Sequence, residues 1–174
     1  ISSGAGAQAT FEFRKRNFDL WRPPSSWNPI TMFGEILDNR AFHGGGQTLD
    51  LLLAPGTQVS QGSIGYTEPD LFGEQFETTE LRVNGHRTLR SRDGYRSDAF
   101  GADAGLFRNL SDEWSIGIAF REENVEVSNV SPDATSLAFA AEGHTELRGA
   151  RLRTNYRDVD DLRRPTEGFD LQAS

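Results

Sequence analysis

Three histidines and a short acidic stretch are the residues most able to support metal binding or catalysis. His43, His86 and His144 lie far apart in sequence, and none has a partner at the spacing of a metal-ligand set. The stretch Asp158–Asp161 lacks the glycine and the distal glutamate of a calcium-binding loop. We therefore predict no metal, no cofactor and no enzymatic chemistry.

Two further motifs have the composition of anion sites. The sequence GAGAQA at Gly4–Ala9 fits the loose dinucleotide-binding pattern G-x-G-x-x-A. That pattern belongs between a strand and a helix, whereas Thr10–Arg16 alternates as a strand does, so we interpret the match as coincidental. The basic group Arg87–Arg96 is interpreted as a solvated loop through Leu89–Tyr95, with contact to anionic lipid headgroups as the alternative.

Length and charge narrow the class of protein. The chain has 174 residues, enough for one domain, with a net charge of −8 and no cysteine. The acidic balance argues against a nucleic-acid partner, and the absence of cysteine excludes disulfides. No apolar run approaches the roughly 20 residues of a membrane helix. Membrane-spanning β-strands are not excluded by this absence, because their residues alternate in polarity.

An alternation of apolar and polar residues runs through most of the chain. It predicts an all-β, antiparallel up-and-down meander of about eight or nine strands, forming a single segment over residues 1–174. We expect one face of the sheet to be apolar, facing lipid in a transmembrane β-barrel of the outer-membrane type or a protein core in a soluble protein. This face comprises Phe11, Phe13, Leu49, Leu51, Leu53, Leu81, Val83, Trp114, Ile116, Ile118 and Phe120.

Polar residues occupy the opposite face of the predicted sheet. Asp103, Arg121, Arg151 and Arg153 are costly to bury in a dry core, so in a barrel we expect them to face a watery lumen. In a soluble β-sandwich or small barrel acting as a binding module, the same side chains face solvent. The alternation alone does not separate these two architectures.

Residues 17–46 break the alternation and read as a long Pro/Gly-rich turn insertion with a short helix. Ser25 and Ser26 are candidate caps, Pro29 suits the first helical turn, and Gly44–Gly46 would end the segment. Apolar residues within Ile30–Leu37 share one side of this helix. The helix could seal a barrel mouth or lie at a bilayer interface, or the segment could be a loop that covers an apolar edge.

Turn-forming residues separate the predicted strands. Short turns are predicted at Pro55–Thr57, Pro69–Gly73, Asn109–Asp112 and Arg163–Gly168, and longer connections at Leu89–Tyr95 and Ser131–Gly143. Short turns at one end of a sheet and longer loops at the other are typical of outer-membrane barrels. Soluble sandwiches also have loops of unequal length.

Three segments resemble one family of membrane barrels. They are FEFRKRNFD at Phe11–Asp19, SIGYTEPDLFG at Ser63–Gly73 and NYRDVDDLRRPTEGFDL at Asn155–Leu171. Their order and spacing are similar to those of the BamA/TamA-type bacterial surface-antigen barrel family over nearly the whole chain. The resemblance is closest to members with a Pro-rich insertion after the second strand, here Leu20–Gly46. The last turn departs from the family pattern at Val159, Arg164 and Glu167.

The resemblance implies the N-terminal half of a larger barrel in the bacterial outer membrane. Such a barrel assembles or inserts other membrane proteins without enzymatic chemistry. Its implied partners are membrane lipid, unfolded outer-membrane proteins and accessory assembly proteins. The alternative within the superfamily is a polypeptide-export pore.

The resemblance also implies roles for particular residues. Incoming strands would pair at a lateral seam beside a first strand at Ile1–Ala7, where small residues weaken the ladder. The seam residues are Ser2, Ser3, Gly4, Ala5, Gly6 and Ala7. The implied periplasmic turns contain Pro69, Phe72, Gly73, Pro165, Thr166 and Gly168. On this interpretation the chain begins inside the first strand and ends in the middle of a larger sheet.

Overall fold

A computed structural model describes residues 6–73, 79–92, 94–132, 134, 136–159 and 167–174. These residues form one antiparallel sheet in which each strand pairs with its neighbours in chain order. The elements are β1 (Phe11–Phe18), α1 (Pro29–Leu37), β2 (Gln47–Ala54), β3 (Val59–Glu68), β4 (Thr79–Arg92), β5 (Tyr95–Asn109), β6 (Trp114–Ser128), α2 (Ser136–Ala140), β7 (Gly143–Val159) and β8 (Gly168–Ala173). The predicted all-β, up-and-down meander is confirmed.

Strands β4 to β7 are longer than the alternation predicts. They contain 14, 15, 15 and 17 residues, whereas a tilted strand crosses a bilayer with about 9–11. The predicted loop at Leu89–Tyr95 was wrong, because β4 and β5 continue through it to a tight turn in which Gly94 has a φ of 100°. Arg87 and Asp98 form an ion pair of 2.7 Å across these two strands. Both faces are polar in this region, so the sequence shows no alternation there.

The connections alternate between the two ends of the sheet. Those joining β1 to β2, β3 to β4, β5 to β6 and β7 to β8 lie at one end, which we call the insertion end because the segment 19–46 lies there. The Pro55–Thr57 turn lies at the opposite end, together with the 129–142 connection that contains α2. The short turns therefore do not all lie at one end of the sheet. Helix α2 was not predicted.

The insertion does contain the predicted helix, with different caps. Pro29 is its first residue, as predicted, but the N-cap is Asn28, whose Oδ1 accepts a hydrogen bond of 3.0 Å from the Ile30 N–H. Ser25 instead bonds to the carboxylate of Glu35. The helix ends at Leu37, before Gly44–Gly46. Neither described helix is long and apolar enough to cross a membrane.

The small buried core lies where the insertion meets the sheet. Phe18 is 5% exposed and stacks on Phe42, with 5.2 Å between ring centroids, and its ring also meets that of Tyr66 edge to face. Ala41 and Gln47 are buried beside it. In the described part of the chain no second sheet packs on the first.

Candidate functional site

Strand register decides which side chains share a face, because directly opposed residues in an antiparallel pair point to the same side. Leu106 lies opposite Ile118, and Ile118 lies opposite Leu152 in the next strand. Following the pairs across the sheet brings all the predicted apolar residues to one face, which we call the apolar face. They are Phe11, Phe13, Leu49, Leu51, Leu53, Leu81, Val83, Trp114, Ile116, Ile118 and Phe120.

The apolar surface forms a band nearer the insertion end. On β6 it runs from Trp114 to Phe120, which is about 20 Å at roughly 3.3 Å per residue. On β1 its large side chains are Phe11 and Phe13, preceded on the same face by Ala7 and Ala9 and followed by Lys15. Many of its side chains are open to the surroundings; Phe120, for example, is 57% exposed.

Aromatic side chains with polar tips lie at the insertion-end border of the band. Tyr66, Trp114 and Tyr156 are all on the apolar face. The indole N–H of Trp114 donates a hydrogen bond of 2.7 Å to Oγ1 of Thr154. Trp and Tyr are enriched at membrane–water interfaces because an apolar ring and a polar tip suit that boundary.

The opposite face, which we call the polar face, brings together Asp103, Arg121, Arg151 and Arg153. Asp103 lies directly opposite Arg121 and accepts a hydrogen bond of 3.2 Å from Nδ2 of Asn84. Arg121 also donates to Glu123 at 2.6 Å. Asp103 and Arg121 are thus hydrogen-bonded to neighbours on the same face, which a hydrated surface permits.

Phe107 places a large aromatic ring on the polar face of β5, and a glycine accommodates it. Gly117 lies directly opposite, and a Cβ there would lie 2.5 Å from Cδ1 of Phe107. The guanidinium of Arg82 lies 4.7 Å from the centroid of the Phe107 ring. The glycine and the aromatic residue therefore form one packed unit with Arg82.

We expect Gly117→Val to destabilise the sheet by about 1–3 kcal/mol, since the new side chain would displace Phe107. Gly149→Val is the matched control on the same face, because nothing lies within 4 Å of a Cβ built there. Urea-unfolding midpoints of the two variants check this. Equal shifts in the two midpoints would contradict the packing role of Gly117.

β1 is an edge strand, and Gly6–Ala9 extend it rather than forming a strand of their own. Gln8 bridges to Gly56 in the register that pairs Phe11 with Leu53. The N–H of Thr57 donates to the Ala7 carbonyl, and the N–H of Ala9 donates to the Pro55 carbonyl, both at 2.9 Å. Among the described strands, the insertion follows β1 directly. Of the proposed seam residues, Ser2, Ser3, Gly4 and Ala5 lie outside the described residues.

The bonds of this extension fix which backbone groups point outward. Ala7 and Ala9 bond towards β2, so Gln8 belongs to a non-hydrogen-bonded pair and its N–H and C=O point away from β2. Glu12 lies four residues after Gln8 in the same register, so its N–H and C=O also point away from β2. Within the described residues, nothing pairs with β1 on its other side. Sequence reasoning missed Gln8, whose side chain donates to the carbonyls of Ala54 and Val59 at 3.3 Å each.

The proposed turn residues lie at the insertion end where the structure describes them. Pro69, Phe72 and Gly73 follow β3, and Gly168 opens β8 with a φ of 130°. Pro165 and Thr166 lie outside the described residues. In the described β5–β6 turn, Ser111 donates a hydrogen bond to Glu113, which lowers the pKa of that carboxyl.

Hydrogen bonds from Ser25 hold the pKa of Glu35 below its ordinary value of 4.5. The Ser25 N–H donates to Oε2 at 2.8 Å, and the hydroxyl donates to Oε1. A lowered folded-state pKa stabilises the insertion above the ordinary glutamate pKa, and this contribution is lost as the pH falls through the folded value. We expect the emission of Trp21 and Trp27 to change with acidification in this range. Glu35→Gln should remove that pH dependence; an unchanged titration would contradict the assignment.

The histidines and aspartates do not gather into a metal site among the described residues. His86 lies 3.9 Å from a Glu123 oxygen on the polar face, and His144 lies 3.6 Å from Glu146 at the far end. His43 lies in the insertion, where its Nε2 is 3.5 Å from Nδ2 of Asn17. The site with functional interest is therefore the edge strand together with the two faces of the sheet.

Comparisons with known proteins agree with this architecture. Residues 41–174 match the Omp85 superfamily domain. No curated protein sequence matches the chain. Among solved structures, the chain is similar in fold to the crystal structure of BamA from Haemophilus ducreyi lacking POTRA domains 1–3, with a TM-score of 0.50 and 18% identity over 97% of this chain and 30% of that chain. The chain thus spans less than a third of that structure.

The matched region starts shortly before β2 and continues to the last residue, so it contains the sheet from β2 to β8. The family expected from three short segments is confirmed by a model that covers more than half of the chain. This protein belongs to the Omp85 superfamily.

Proposed function

We propose that the chain forms part of an outer-membrane barrel that assembles or inserts other membrane proteins by pairing their strands with β1. The observation that carries the proposal is the unpaired outer edge of β1 beside a continuous apolar band. An open edge offers N–H and C=O groups in register, and pairing through the backbone tolerates many sequences. Such templating needs no nucleotide, metal or enzymatic step.

The openness of the apolar face supports a lipid environment over a soluble sandwich. Phe11 is 66% exposed, Leu53 61% and Leu152 60%. A water-soluble monomer rarely leaves a contiguous apolar surface of this extent. Contact with lipid would cover this apolar surface. The insertion end would then lie at the periplasmic side, and the long extensions of β4–β7 outside the opposite leaflet.

The pairing between the extension of β1 and the segment that starts at Pro55 is weak. The extension of β1 contains Gly6, with a φ of 64°, and the small residue Ala7, and its partner segment begins with Pro55, which has no N–H to donate. The ladder there has fewer bonds than a regular pair.

Cysteine cross-linking tests the proposal directly, because the chain has no native cysteine. With Glu12→Cys on β1, we expect disulfides to a cysteine placed in an unfolded outer-membrane barrel polypeptide. Ser63→Cys, in the interior strand β3, is the control and should give none. Cross-links at Arg151→Cys on the polar face, with none at β1, would overturn strand pairing and favour export through the lumen.

A further inference from the structure

The insertion carries more exposed apolar surface than a water-facing loop needs. Ile30, Phe33 and Leu37 are 86%, 60% and 78% exposed, and their i, i+3, i+7 spacing places them on one stripe of α1. Trp21 and Trp27 beside the helix are 84% and 71% exposed. No residue of α1 is buried, so the stripe is not used for packing within the described chain.

A cation of β1 holds the C-terminal end of the helix. The ammonium of Lys15 donates to the Ile36 carbonyl at 3.0 Å and to Oδ1 of Asn39 at 3.2 Å. A cation at the last carbonyls of a helix is favourable. Met32 and Ile36 of the helix are half-buried, whereas the apolar stripe lies on its exposed side and faces outward.

The insertion is attached on the apolar side of the sheet. Phe18 stacks on Phe42 of the insertion and meets the ring of Tyr66 edge to face. Phe18, Tyr66 and Lys15 all belong to the apolar face. The exposed stripe is therefore on the same side as the lipid-facing band, at its insertion-end border. It is also next to the edge strand, because the insertion continues directly from β1.

We propose that the insertion is a membrane-interface anchor, with α1 lying in the boundary between headgroups and acyl chains beside β1. This inference rests on the proposed function, since it takes the apolar band to face lipid. Exposed indole rings suit this depth. Arg40 is paired with Asp38 at 2.9 Å, and residues 19–46 carry three carboxylates against two guanidinium groups, so the surface fits zwitterionic rather than anionic headgroups.

Lipid-depth quenching of tryptophan fluorescence tests the anchor in the whole chain. The three tryptophans are Trp21, Trp27 and Trp114. The double variant W21F/W114F leaves Trp27 as reporter of the anchor, and W21F/W27F leaves Trp114 as reporter of the band. Both are reconstituted in phosphatidylcholine vesicles brominated near the headgroup end of the acyl chain. We expect both reporters to be quenched by these lipids and protected from aqueous iodide.

The two reporters separate the possible failures. Quenching of Trp114 with an unquenched, iodide-accessible Trp27 would overturn the anchor and leave the proposed function standing, with a protein partner as the occupant of the stripe. If neither is quenched, the proposed function fails and the anchor fails with it. In the W21F/W114F background, Ile30→Glu should expose Trp27 to iodide, whereas Thr31→Glu, also exposed but off the stripe, should not. Equal effects of the two substitutions would also overturn the anchor.

Discussion

Replacing Ile116 and Ile118 together by arginine is expected to abolish flotation of the chain with phosphatidylcholine vesicles. Both residues lie on β6 in the apolar face. Ile118 is flanked by Leu106 and Leu152 of the neighbouring strands, and Ile116 by Arg108 and Thr154. An arginine on the lipid face costs about 2–4 kcal/mol near the bilayer midplane. The pair therefore removes a large part of the free energy that holds the sheet in lipid.

The matched control adds the same charges to the other face. Gln61 and Ser63 are two residues apart on β3 and lie on the polar face, opposite Thr88 and His86. Gln61→Arg with Ser63→Arg should leave flotation intact after carbonate and high-salt washes. Loss of flotation in both double variants, or in neither, would contradict the assignment of the two faces.

Glu12→Pro is expected to slow the assembly of a barrel substrate while leaving membrane insertion of the chain unchanged. The N–H of Glu12 points away from β2, so proline removes a donor from the open edge without removing a bond of the β1–β2 ladder. One lost ladder bond is worth about 0.5–1.5 kcal/mol. With the steric effect of the ring on an incoming strand, we expect a rate about tenfold lower.

Glu12→Ala is the control for this variant because it removes the same carboxylate and retains the N–H. Folding of a urea-unfolded outer-membrane barrel into vesicles, followed by its change in gel mobility, gives the rate. Flotation of the two variants monitors their own insertion. Equal rates for Glu12→Pro and Glu12→Ala would show that the outer edge of β1 is not the template.

The sequence was most informative where polarity alternates with a period of two. Ile116, Ile118 and Phe120 could be assigned to one face, and Arg151 and Arg153 to the other, because each strand residue points opposite to its neighbours. The extension of β4 into β5 could not be predicted, since charged residues occupy both faces there. Local alternation carries no signal when neither face is apolar.

Capping and packing depended on contacts that no local pattern reveals. Ser25 and Asn28 are both good N-cap residue types, and only the fold shows that Ser25 is engaged by Glu35 while Asn28 caps the helix. Likewise, Phe107 interrupts an otherwise polar face. It lies there because Gly117, ten residues later, leaves room for its ring.

The edge strand was accessible from sequence only through the family resemblance. Nothing in the residues near Gly6 indicates that they pair with Pro55–Thr57, about fifty positions away. The register that continues from Phe11 to Gln8 is a property of the sheet. The register also identifies which amides of β1 point outward and can bond to an added strand. These amides belong to alternate residues, and composition does not distinguish them from the others.

Amide hydrogen exchange along β1 tests strand pairing most directly. In the lipid-inserted chain, the amides of Phe11 and Phe13 should be protected by β2, and those of Gln8 and Glu12 should exchange rapidly. Adding an unfolded outer-membrane barrel polypeptide should protect Gln8 and Glu12, with little change at Phe11 and Phe13. Continued rapid exchange of Gln8 and Glu12 during substrate folding would contradict the proposal that β1 templates incoming strands.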